Sequence, residues 1–169
     1  MISAHRKITV SLLAGSVFWL FTLFTPATAP AAPTLGTCSP TQLKYSVSTL
    51  DLSSTSSEAF VNVPETTVSF NLGSASCVIV RFSAMTQAGA GNHVAVRAFL
   101  DNAAAAIPPQ VLYSGDDSGA PDGAARARAY EFVFPNVASG SHILRMQFKS
   151  GNGTVVKVHR HTTVIQYAP

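Results

Sequence analysis

The sequence predicts an all-β fold, an antiparallel β-sandwich, on three observations. Apolar and polar residues alternate with a period of two along most of the chain, while the 3.6-residue period of an amphipathic helix is nearly absent. The alternating runs are short and are split by clusters of Gly, Pro, Asn and Ser. No helical crossover separates them, so neighbouring runs must pair antiparallel and bury one face against a second sheet.

The segment preceding these runs reads as an export signal. Arg6 and Lys7 form a basic patch, Ile8–Phe24 is apolar and uncharged, and Ala27, Ala29, Ala31 and Ala32 supply small residues. Pro30 disfavours a cut after Ala29, so cleavage is expected near Ala31 or Ala32. That makes 1–31 a signal peptide, 32–40 a linker and 41–169 one sandwich domain, with no membrane span left after cleavage. The leader also carries charge. The whole chain has 11 Lys and Arg against 8 Asp and Glu, and losing Arg6 and Lys7 leaves nine against eight. A nearly neutral chain whose one basic cluster is "ARARA" at Ala125–Ala129 lacks the concentrated positive field of a nucleic-acid groove.

The expected elements follow in order. Gln42–Ser48 sets Leu43, Tyr45 and Val47 on one face, and the Ser-rich stretch Ser53–Ser57 reads as a loop before a strand at Ala59–Val63. Thr66–Leu72 aligns Val68, Phe70 and Leu72. Cys77–Met85 is more continuously apolar, as a central strand covered on both faces would be. His93–Leu100 alternates, "DNAAAAIP" at Asp101–Pro108 has room for one helical turn, and Ile107–Tyr113 is a weaker strand marked as an edge by Pro108 and Pro109. A long acidic turn at Ser114–Gly123 leads to Arg126–Phe134, where Arg126, Arg128, Tyr130, Phe132 and Phe134 share a face that begins exposed and becomes buried. Pro135–Gly140 is a turn, and His142–Phe148 groups His142, Leu144, Met146 and Phe148. Asn152-Gly153 then signals a hairpin into a last strand at Val155–Tyr167. Eight or nine such strands suit a jelly-roll or Greek-key-like sandwich.

The closing stretch "FVFPNVASGSHILRMQFKSGNGTVVKVHRHTTVIQY" resembles the final hairpin of jelly-roll domains in secreted and surface proteins. The shared features are a Gly-x-His entry, an alternating strand, a Gly-rich turn and a long last strand ending in β-branched and aromatic residues. The resemblance implies a fold rather than an activity.

Four groups of residues offer chemistry. Cys38 and Cys77 are the only cysteines, and in an exported chain an isolated pair reads as a disulfide. His159 and His161 stand two apart on a strand, which places them on one face as metal ligands or as surface histidines. Gly153, five residues and "HRH" are also similar to the first motif of the cupin family, which implies a small metal-dependent enzyme, although Gln166 stands where that pattern wants glutamate. Asp116, Asp117 and Asp122 form an oxygen-rich turn of the kind that holds calcium. Tyr113, beside that turn, is the aromatic platform available to a weak carbohydrate-binding module.

The mixed polarity around His159 favours surface histidines. The reading is therefore a secreted or periplasmic, non-catalytic surface, envelope or interaction module without a required cofactor. Its expected partner is a protein or a surface glycan, with self-association open.

Overall fold

The computed structural model describes residues 38–168 apart from 90, 106 and 115–124. The leader and Asp116, Asp117 and Asp122 lie outside the described residues. Among the described residues eleven strand segments succeed one another: β1 (Gln42–Val47), β2 (Leu52–Thr55), β3 (Val61–Asn62), β4 (Val68–Leu72), β5 (Ser76–Gln87), β6 (His93–Leu100), β7 (Ala103–Ala104), β8 (Val111–Ser114), β9 (Arg126–Val137), β10 (Gly140–Ser150) and β11 (Val156–Tyr167).

Several of these are halves of one broken strand. β1 and β2 lie end to end along one edge of β11, pairing with Thr162–Tyr167 and with Val156–His159. β3 and β4 share an edge of β10, and β7 and β8 share the far edge of β6. Counting each broken strand once gives eight, in two antiparallel sheets ordered 1-8-3-6 and 2-7-4-5. First pairs with eighth, second with seventh, third with sixth and fourth with fifth. The chain is one long ribbon folded at its middle, then rolled so that β11 also meets β5 and β10 also meets β6. That order is a jelly roll.

The core lies between the sheets. Val80, Phe82 and Phe132 from one sheet are buried with Leu144, Met146 and Phe148 from the other. Their outward neighbours are polar or half-exposed, which is why period-two alternation runs through β4, β5 and β10. Burying such side chains contributes about 1.5–3 kcal/mol each. The Cys38–Cys77 disulfide ties the segment ahead of β1 to the start of β5 across 39 residues. Closing a loop of that length restricts the unfolded chain by roughly 4 kcal/mol in the chain-entropy account.

Several expectations change. The Ser-rich stretch contains β2, because its backbone completes the edge of β11 where β1 stops. Of Ala59–Val63 only Val61–Asn62 is strand. Asp101–Asn102 is a two-residue hairpin turn between β6 and β7, with Asp101 at φ 52, instead of a helical turn. β5 is central in its sheet yet covered on one face only, since Arg81, Ser83 and Met85 are exposed on the other. β9 runs through Pro135 to Val137, tolerated because β9 is an edge strand with a register shift opposite Ser76–Val78.

The Asn152-Gly153 turn joins no hairpin, because β10 and β11 belong to opposite sheets. Only Gly153 has positive φ there, at 79, whereas the expected hairpin turn needs it at both central residues. A buried side chain shapes the connection instead. Asn92 Nδ2 donates to Ser150 Oγ (3.1 Å) and Thr154 Oγ1 (2.8 Å), while Asn92 Oδ1 accepts from the amides of His93 (2.8 Å) and Gly151 (3.1 Å).

Replacing Asn92 by Ala removes these four bonds of a buried amide, the one to buried Ser150 among them, so a loss of about 1–3 kcal/mol is expected in denaturant unfolding. A change below about 0.5 kcal/mol would contradict the role given to this side chain. The opposite sign is expected at Thr163, whose Oγ1 is buried without a hydrogen-bond partner among the described residues. Thr163→Val keeps the shape and removes the unsatisfied hydroxyl, so a gain of about 1 kcal/mol should appear as a higher Tm.

Candidate interaction surface

The outer face of the β1–β11–β5–β9 sheet is where the chain departs from apolar-in, polar-out. β1 carries its apolar stripe outward, with Leu43, Tyr45 and Val47 exposed at 54%, 67% and 56%. Its inner side is polar and committed. Lys44 Nζ donates to the Ser69 carbonyl (2.8 Å), the Ser46 hydroxyl to the Glu65 carbonyl, and the Ser48 hydroxyl to the Leu50 carbonyl (3.1 Å). Those bonds fix which side of β1 faces in, so the stripe has no core to enter.

Strand register carries the face across the sheet in rows. One row runs Leu43, Gln166, Ile79, Val133, and the next Tyr45, Val164, Arg81, Glu131. A third runs Val47, Thr162, Ser83, Ala129. Charges in the face are paired locally, Arg81 with Glu131 at 2.8 Å and Arg160 with Asp51 at 2.6 Å. Thr162, Ser83, Ala129 and Ala127 floor an open trough of about 730 Å³, which Val47 of β1 borders.

The break between β1 and β2 is held from below. Glu65, at φ 57, accepts through its carboxylate from the Thr49 amide (2.6 Å), the Thr49 hydroxyl (2.8 Å) and the Leu50 amide (3.2 Å). Donation from the Thr49 side chain and backbone holds its carboxyl below the ordinary range. Next to it, His161 Nε2 donates to the Pro64 carbonyl at 3.0 Å and the ring lies 5.7 Å from Phe82. At the far end of the sandwich, His142 meets Asp101 Oδ2 through Nδ1 and the Ala138 carbonyl through Nε2, both at 2.9 Å. Burial raises the Asp101 carboxyl, but donation from His142 and the Ile143 amide outweighs it and the group titrates low.

The expected site residues are therefore distributed. Cys38 and Cys77 form their disulfide. His159 and His161 do not share a face as plain alternation requires. Between Val158 and His161 β11 takes three steps while β5 takes two, from Thr86 to Ala84. This bulge shifts the inward positions from Val156 and Val158 to His161, Thr163, Ile165 and Tyr167. His161 is buried, and His159 is half-exposed with Nε2 3.4 Å from Gln87 Oε1. Among the described residues no three His, Cys, Asp or Glu side chains gather. The backbone of Tyr113 lies in β8 opposite Val94. Glu65, Asp101 and Asn92 were not singled out by sequence, because nothing local in it distinguishes them from other polar loop residues.

No protein-family model and no curated protein matches the chain. Among solved structures it is similar to the VP2 subviral particle of infectious bursal disease virus, at 10% identity and a TM-score of 0.46, over 75% of this chain and 33% of that one. It is also similar to the structure of the Gx strain of that virus, at 12% identity and a TM-score of 0.46, over 84% and 37%. The chain spans about a third of the length of those structures. Its own strand order defines the jelly roll.

Burial pushes the His161 imidazole below 6.5, and the carbonyls of His159 and Pro64 with the Glu65 charge pull it only part of the way back. Below about pH 6.5 the unfolded chain takes up a proton that the native ring resists, so this contribution to stability is whole above that pH and declines as pH falls toward the lowered native value. His161→Gln keeps a donor for Pro64 and removes the titration. Its unfolding free energy should vary less than the parent's between about pH 7 and 5. Identical acid slopes for the two proteins would refute the assignment.

Proposed function

We propose that this chain is an exported, non-catalytic interaction module that presents the outer face of the β1–β11–β5–β9 sheet to a macromolecular partner. The observation that carries the reading is the outward stripe Leu43, Tyr45 and Val47 on a strand whose inner side is polar. An exposed apolar strip on an ordered sheet costs solubility and marks contact surfaces. Aromatic and Arg side chains are enriched at such surfaces, and Tyr45 and Arg81 share one row here. The polar groups best placed for chemistry, His142, His161 and Glu65, are each engaged in bonds that hold loops and sheets together. Export is supported by the Cys38–Cys77 disulfide, which persists in oxidising compartments.

A photo-crosslinking amino acid in place of Tyr45 tests the reading in the producing cells. A discrete adduct is expected there and none from the same group at Ser141, which is exposed on the other sheet. If the Tyr45 position yields no adduct while the protein folds and forms its disulfide, the surface is not a contact site.

A further inference from the structure

Resting on that reading, we propose that the occupant of this face is the same face of a second copy of the chain. Two identical surfaces fit only when one patch holds both a projection and the recess that receives it. This face holds both, at opposite sides. The large side chains Leu43, Tyr45 and Val47 project from β1. The corresponding positions on β9 are Val133, Glu131 and Ala129, with the floor of the trough at Ser83 and Thr162 between. A two-fold axis parallel to the strands, midway between β11 and β5, exchanges β1 with β9. It sets Val47 opposite the partner's Ala129, Leu43 opposite the partner's Val133, and the Tyr45 phenol opposite the partner's Glu131. At the trough Val47 meets the small Ala129, and in the next row a hydroxyl donor meets a carboxylate.

Charge and area agree with this occupant. Arg81 is paired with Glu131 and Arg160 with Asp51, so the three rows set no unbalanced charge against a copy of themselves, and Lys157 lies beyond them at the β2 end of β11. β5, β9 and β11 each have 12 residues, and β1 with β2 completes the fourth strand. At about 4.8 Å between strands and about 3.4 Å per residue the face measures roughly 19 by 40 Å. That is roughly 750 Å² per copy, close to the ~800 Å² each partner contributes to a stable complex.

The test uses the full chain with its disulfide intact, in sedimentation velocity across a concentration series. Val47→Glu and Ala129→Lys lie on exposed outward positions three strands apart, so within one chain they are too distant to pair. The parent should dimerise, and each single variant should weaken the dimer at least about tenfold. The double variant, or a one-to-one mixture of the two singles, should recover it, because the carboxylate introduced on β1 of one copy then meets the ammonium introduced on β9 of the other. Three results would overturn the inference: a parent that stays monomeric at about 100 μM, association that neither substitution moves, and loss without recovery. A Tyr45 crosslink to a different protein by a parent that does not self-associate also overturns it, while leaving the face an interaction surface.

Discussion

One extra residue in β11 governs most of this structure. β11 is the strand that β1, β2 and β5 all pair with, and its side chains supply the inner wall of one sheet. Without the bulge between Val158 and His161, the parity that buries Val156 and Val158 would carry on to Arg160 and Thr162, and Thr163, Ile165 and Tyr167 would point to solvent. A shift of one residue moves every later side chain to the other face. The break between β1 and β2 lies opposite this bulge, where the Ser48 amide donates to the His161 carbonyl at 2.9 Å. Edge strand and central strand therefore bend together.

The polar groups around that bend form a joint between the sheets. His161 comes from β11 and ends on Pro64, in the break between β3 and β4. Glu65 reaches back from there to the Thr49 and Leu50 amides. Thr66 substitutes for missing ladder partners, its hydroxyl accepting from the Met146 amide at 3.0 Å and donating to the Val63 carbonyl at 2.7 Å. The Thr66 bonds are buried and the His161 bond partly so, and there a broken bond leaves a costly orphan, whereas the Glu65 bonds are exposed to water. Glu65 is held in the left-handed region, a strained backbone for a residue with a side chain, by the donors its carboxylate collects.

The same joint explains the outer surface. Because Lys44 is tied inward to β4 and Ser46 to the loop at Glu65, β1 must turn Leu43, Tyr45 and Val47 outward. A short edge strand with an inward lysine is a usual way to discourage indiscriminate edge pairing. The result is a strand protected along its edge and apolar on its face. That combination suits docking of a broad surface rather than addition of a strand, and it links the local bonding of one loop to the proposed role of the whole chain.

Alternation, the turn residues and the isolated cysteine pair were enough to settle the fold class and the disulfide, because both depend on local periodicity and residue chemistry. Phe70, Phe82, Phe132 and Phe148 are legible as core for that reason. The direction of the β1 stripe was not, since a period of two tells which residues share a side and not which side is covered. Nor was the separation of His159 from His161, because a bulge is decided by register against β5, a strand more than seventy residues earlier. The Asn152-Gly153 turn reads locally as a hairpin, and only the rolled ribbon, with β10 and β11 claimed by opposite sheets, turns it into a bridge between them.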